Sequence, residues 1–143
     1  MSAPANRESG QTSVLLVGFF VVVALLVVVV VDASAAYLRR QRLDSLADGA
    51  ALAAVDGIRS DQLYVDGLGE QAVLDPVAAR SFAADYLART AGGRYAGLSW
   101  TLRTTADSVQ VEVSAPLELP IAPPGWSGST VTGRAAAYVA VSD

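Results

Sequence analysis

Residues 14–31 read VLLVGFFVVVALLVVVVV, an uninterrupted apolar run with one Gly and no Pro. A bilayer core of about 30 Å requires about 20 apolar residues in a helix, and Gln11, Thr12 and Ser13 can complete the span at the interface. Inside lipid the backbone groups can bond only within their own helix, so this stretch is predicted to be helical although Val is a mediocre helix former in water. The sequence therefore predicts one transmembrane helix.

The interior of this span offers little chemistry. It carries no charged residue, which excludes a proton relay or an ion pathway within it. Gly18 is its only Gly, so it has no GxxxG dimerisation motif. Gly18, Phe19 and Phe20 are the candidate packing residues of the span, which is predicted to act as an anchor or a packing surface.

A cleaved signal peptide is the alternative to a retained anchor. Ala33-Ser34-Ala35 has the small-residue form of a cleavage site, but the apolar run exceeds the usual 7–15 residues of a signal core. Retention is therefore the favoured interpretation.

The orientation of the span stays open on charge alone. Arg39, Arg40 and Arg42 follow the span while only Arg7 precedes it, and a positive-inside count would keep the carboxyl-terminal part in the cytoplasm. Longer domains translocate regardless of such charges. The three arginines after the span are candidates for contact with lipid headgroups or with acidic residues of a neighbouring subunit.

The helix is predicted to continue beyond the membrane to about Val55, because residues 32–55 contain no Pro and only one Gly. An apolar stripe recurs at helical spacing in this part and suits close helix packing. It consists of Leu43, Leu46, Ala47, Ala50 and Ala54. The predicted organisation is a tail over 1–13, a span over 14–31, a helical extension over 32–56 and a further domain over 57–143.

The remaining chain predicts a small mixed domain. Residues 57–74 are expected to be a loop, with a short strand at 63–65. Asp75-Pro76 is a helix-start signal, and the helix is expected to reach about Thr90. Its predicted core residues are Val77, Phe82, Tyr86 and Leu87.

Alternating apolar and polar residues predict strands at 98–103, 109–113 and 130–141. The fold class is therefore α+β: a long amino-terminal helix leads into a second helix packed on an antiparallel sheet of about three or four strands. The apolar sheet face is expected to carry Trp100, Leu102 and Val111, beneath the second helix.

Composition argues against most catalytic chemistry. The chain has no His and no Cys, and all ten of its basic residues are Arg. These absences exclude Ser-His-Asp triads, cysteine zinc sites, Walker A loops and Schiff bases. A net charge of −4 argues against nucleic acid as a partner. No enzyme activity and no cofactor are predicted.

A binding module is the alternative function. Four carboxylates lie around a glycine loop, namely Asp61, Asp66, Glu70 and Asp75. Their spacing is not that of an EF-hand, so solvated loop carboxylates are favoured over a metal site. Trp126 lies in a Pro/Gly-rich segment and is a candidate partner contact, because Trp is enriched in binding hot spots. In this alternative a secreted or anchored domain holds a ligand or a cation.

The amino-terminal segment resembles proteins of a known family. The residues that carry the likeness are RESGQ at 7–11, the apolar run, VDA at 31–33, YLRRQRL at 37–43 and ADGAALAA at 47–54. Together they resemble TadE/TadG-like proteins of the Tad (Flp-type) pilus-assembly system. The resemblance covers about residues 7–55, while the later helix and strands are similar in layout only.

The resemblance implies a non-enzymatic, membrane-anchored pilus-assembly protein. It implies a cytoplasmic amino terminus, an exported β-containing domain, and pilus subunits and the inner-membrane assembly platform as partners in an oligomer or complex. Gly10 and Gln11 are a candidate processing site. Pseudopilins matured by a prepilin peptidase carry Glu five residues after this Gly, where the present chain has Leu15. The chain is therefore expected to be either an anchored component or a minor subunit that uses a different contact.

Overall fold

The computed structural model describes residues 8–65, 75–121 and 128–138. They form two helices followed by three strands, which confirms the predicted α+β class. The elements are α1 (Glu8–Val65), α2 (Pro76–Ala91), β1 (Ser99–Thr104), β2 (Ser108–Pro116) and β3 (Thr130–Tyr138).

The first helix is longer than the sequence predicts. α1 has 58 residues and continues through Gly57 to Val65, so the loop expected from Gly57 onward and the strand expected at 63–65 are wrong. A Cβ atom at Gly57 would overlap the ring of Phe82. This glycine therefore makes room for α2, and the packing it permits offsets the cost of about 1 kcal/mol that Gly imposes on a helix relative to Ala. The rest of the predicted loop, residues 66–74, lies outside the described residues.

The second helix begins where the sequence predicts. Asp75 is its N-cap, and the Asp75 Oδ1 atom accepts a hydrogen bond of 2.8 Å from the backbone N–H of Val77. The buried residues recur every four positions, at Ala79, Ala83, Leu87 and Ala91. The prediction that Val77 faces the core is wrong, because 78% of its surface is exposed. Phe82 and Tyr86 are half-buried against the core.

The three strands form one antiparallel sheet, as predicted, and the structure places them in the order β1-β2-β3. Trp100 lies opposite Val113, and Leu102 lies opposite Val111. Val109, Val111 and Val113 are fully buried on the same face. The described part of β3 ends at Tyr138, so the predicted continuation to Val141 lies outside the described residues.

The apolar face of the sheet is covered by α1, and the expectation that the second helix covers it is wrong. α1 packs against β2, β3 and α2, whereas α2 touches β1 only slightly. At the closest approach, a Cβ atom on Gly133 would overlap the backbone of Leu43 and Asp44. Because Gly133 has no side chain, the backbone of β3 can approach that of α1 so closely, and α1 occupies the position predicted for α2.

Candidate membrane and subunit contact surface

The amino-terminal half of α1 is an exposed apolar surface. Across residues 14–31 every residue is exposed except Val28, which is half-buried. Among the described residues, α1 is the one helix long and apolar enough to cross a membrane, a test that a signal sequence also passes. The most apolar 18-residue window of α1 contains no buried residue. Such a surface is unfavourable in water and requires lipid or another apolar partner.

No tertiary contact with the described residues occupies the candidate packing residues of the span. A Cβ atom added to Gly18 would meet nothing within 4 Å. Phe19 and Phe20 are 60% and 61% exposed, and their rings contact each other edge-on with centroids 6.2 Å apart. These three residues are therefore available to lipid or to another helix.

The candidate processing site lies at the beginning of α1. Gly10 and Gln11 are both helical, and Gln11 is exposed. Leu15, which stands in place of the Glu of processed pseudopilins, is 72% exposed. An apolar side chain at this position adds to the apolar surface of the span and provides no acceptor for a charged amino terminus.

The carboxyl-terminal half of α1 carries the apolar stripe, and all of it is buried. Leu43, Ala47, Ala50 and Ala54 have no exposed surface, and Leu46 is 7% exposed. They belong to one core cluster with residues of α2 and of the sheet. In this arrangement the stripe is occupied by the chain's own α2 and sheet.

A tyrosine of α2 packs directly onto the backbone of α1. A Cβ atom at Gly49 would overlap the hydroxyl and ring of Tyr86. Tyr86 and Phe82 lie four residues apart on one face of α2, and they contact Gly49 and Gly57 respectively. Two glycines of α1 thus receive two aromatic rings of α2, which sets the contact between the helices.

Arg39 holds the β2–β3 connection against α1. Its Nη1 atom lies 3.2 Å from the Glu118 Oε2 atom, and its guanidinium lies 5.7 Å from the ring centre of Tyr95. The Arg39 side chain is only 17% exposed, whereas that of Glu118 is 70% exposed. The Arg39 Nε atom is buried and has no hydrogen-bond partner among the described residues. Arg39 therefore makes its contacts within its own domain.

Arg40 and Arg42 differ from Arg39 because they are exposed. Within the described part of the chain, neither forms an ion pair with a carboxylate. Both lie on the turns of α1 that follow the apolar run, so they remain candidates for lipid headgroups or a partner. Trp126, the remaining candidate contact, lies outside the described residues.

Two aspartates of α1 bind backbone groups far along the chain. The Asp32 Oδ1 atom accepts a hydrogen bond of 3.2 Å from the backbone N–H of Ile121. The Asp44 Oδ1 atom accepts another of 3.2 Å from the backbone N–H of Arg134. The second bond occupies an outward-facing donor of the edge strand β3, which limits pairing with another strand at that point.

The four carboxylates proposed for cation binding lie only partly within the described residues. Asp61 lies in α1 and Asp75 caps α2, while Asp66 and Glu70 lie outside the described residues. Within the described ranges, no group of three or more acidic residues is placed to hold a metal ion.

Residues 10–57 match the family model of putative Flp pilus-assembly TadE/G-like proteins. The resemblance that the sequence indicates over residues 7–55 is confirmed. The matched range contains both the exposed apolar run and the buried stripe of α1. Neither the curated proteins nor the solved structures include a match to the chain. The family match supports a role in pilus assembly.

The tertiary contacts of several residues could not be predicted from the sequence. The sequence marks Asp32 as the first charged residue after the apolar run, and it marks Gly49 as a single Gly in an Ala-rich helix. It does not indicate their partners, which are distant in sequence. Glu118 and Gly133 carry no local signal for the contacts they make. Tyr86 is predicted to face the core, but its contact with Gly49 is not. Only the packing of the chain joins these residues.

Proposed function

We propose that this protein is a non-enzymatic, membrane-anchored component of Tad/Flp-type pilus assembly. It acts as a minor pseudopilin or as an anchoring subunit through helix–helix contacts in the membrane and a small exported domain. The observation that carries the proposal is the family match over residues 10–57, which spans an exposed apolar half and a buried half of one helix. The exposed half is available to lipid and to helices of other pilus components.

In the proposed orientation the amino terminus is cytoplasmic and the domain after residue 32 is extracytoplasmic. The natural chain has no Cys, so single-cysteine variants report orientation without background. Thr101→Cys on the exposed sheet face is expected to react with a membrane-impermeant maleimide in intact spheroplasts. Gln11→Cys is expected to react only after lysis. The reverse pattern would overturn the proposed orientation.

Gene deletion followed by electron microscopy of surface filaments tests the role itself. Loss or shortening of filaments is expected, with recovery by the parent chain and by Val22→Leu. Val22→Asp is expected not to restore filaments, because a charge at the centre of a membrane helix costs about 2.5–3.5 kcal/mol. Normal filaments in the deletion strain would contradict a role in assembly.

A secreted binding module with a cleaved signal is the competing proposal. Cleavage after Ala35 would remove Asp32 and its hydrogen bond to Ile121, a contact made by the folded domain. This contact favours retention of the helix. Mass spectrometry of the membrane fraction separates the cases: the anchored protein contains residues 14–31, whereas the secreted module begins at Ala36. Loss of residues 1–10 alone would indicate processing at Gly10.

A further inference from the structure

The beginning of the β2–β3 connection lies beside the end of the apolar run. Asp32 directly follows Val31, the last residue of that run, and accepts a hydrogen bond from the backbone N–H of Ile121. If residues 14–31 span the hydrocarbon core, Asp32 lies at its surface. Ile121 is then held at the same height, next to α1.

The side chains of this segment suit a membrane interface. Ile121 is 47% exposed, although it is a large apolar residue. Glu118 is the one acidic residue in 117–121, and its ion pair with Arg39 reduces the charge that the segment presents. The base of the connection is closed by a hydrogen bond of 2.7 Å from the Leu117 N–H to the Ser129 carbonyl. An apolar residue is therefore held at a defined place.

The neighbouring turns of α1 add residue types that favour the headgroup layer. Tyr37 is 69% exposed, and Arg40 is exposed one turn later. Tyr is enriched at membrane–water interfaces, and Arg side chains near helix ends extend to headgroups. Long side chains of a helix point toward its amino terminus, which here is the direction of the membrane.

We propose that residues 117–121 form a second membrane contact, in which Ile121 enters the phospholipid headgroup layer beside the emerging α1. The occupant is lipid because the segment is continuous with the predicted span and lies at the level of its end. The inference rests on the anchoring part of the proposed function. Two contacts with the bilayer, one by α1 and one by this segment, restrict the tilt and rotation of the domain at the membrane surface.

Site-specific fluorescence in vesicles tests this contact. Ile121→Cys, in the full-length chain, is labelled with an environment-sensitive fluorophore and reconstituted into vesicles of phosphatidylcholine and phosphatidylglycerol. Lipids with a nitroxide near the headgroup serve as the quencher. Val22→Cys, with deeper nitroxide lipids, reports insertion of the span, and Thr101→Cys on the outer sheet face is the aqueous control.

The label at residue 121 is expected to lose fluorescence with headgroup nitroxide and to emit at a shorter wavelength than the label at residue 101. Quenching at residue 22 but not at 121 would overturn this inference and leave the anchor intact. Absence of quenching at both residues 22 and 121 would overturn the anchor and this inference together. Oxidative cross-linking of Ile121→Cys between copies, without lipid quenching, would assign the surface to a second copy and also overturn the inference.

Discussion

The two halves of α1 both carry apolar surfaces, but these surfaces are made of side chains of different size. Residues 14–31 carry mainly Val, Leu and Phe and are exposed, whereas the stripe from Leu43 to Ala54 is mostly Ala and buried. Large side chains provide apolar area for lipid without requiring a fitted partner. Small residues in this half allow other elements to approach, as Gly49 does for the ring of Tyr86. Side-chain size, more than hydrophobicity, distinguishes the exposed half of the helix from the buried half.

The largest effect is expected where the buried half meets the sheet. Val111 is 1% exposed, and Val111→Asp would place an unpaired charge in the core. We expect the free energy of unfolding to fall by an amount on the order of 4 kcal/mol, a large fraction of the about 5–15 kcal/mol of a typical domain. Tryptophan fluorescence during denaturant titration of the full chain in detergent measures this loss. Gln110→Asp, on the exposed face, is the control and is expected to be nearly silent. If Gln110→Asp destabilised the domain and Val111→Asp did not, Gln110 rather than Val111 would face the core.

A charge in the exposed half is expected to affect insertion and to spare the fold. Val22 is 55% exposed, so Val22→Asp disturbs no packing of the domain. The charge is instead expected to make the free energy of inserting the helix into the membrane less favourable by about 2.5–3.5 kcal/mol. Membrane fractionation is expected to show a smaller share of Val22→Asp than of Val22→Leu in the membrane pellet. Equal recovery of the two variants would contradict a position of Val22 at the centre of a membrane span.

Substitution of a small residue by Leu is expected to have different consequences in the two halves. Ala50 has no exposed surface, and Ala50→Leu would overpack the core and cost about 1–3 kcal/mol. Gly18→Leu enlarges a residue with nothing within 4 Å and is expected to leave the denaturation midpoint of the domain unchanged. Denaturant titration of both variants in detergent measures the difference. A stable Ala50→Leu variant would contradict the close packing of the stripe.

The smallest effect is expected where the two halves meet. Arg39 pairs with a carboxylate that is 70% exposed, so Glu118→Gln is expected to cost less than about 1 kcal/mol. The difference from the parent chain should shrink at high salt, because ions screen exposed charges. Thermal melting at two salt concentrations measures it. Asp107→Asn, at an exposed turn, serves as a matched charge control. A large, salt-independent loss would instead show a structural requirement for Glu118.

Local patterns determine much of this protein. The apolar run predicts the exposed half of α1, the Asp75-Pro76 pair predicts the start of α2, and alternation predicts the three strands. Each of these features depends on the hydrophobicity or backbone preference of neighbouring residues. They therefore need no knowledge of the rest of the chain. The resemblance over residues 7–55 is likewise a property of one continuous segment.

Only the tertiary structure decides which surfaces meet. α1 and α2 both carry Ala-rich faces, yet α1 covers the sheet, and the glycine of β3 at position 133 lets the two backbones meet at Leu43 and Asp44. The local sequence at Gly57 predicts the end of a helix, yet α1 continues to Val65. The missing side chain at Gly57 leaves room for the ring of Phe82. The contact of Asp32 with Ile121 joins residues 89 positions apart. Such contacts depend on the shape and order of packed elements, which no local pattern contains.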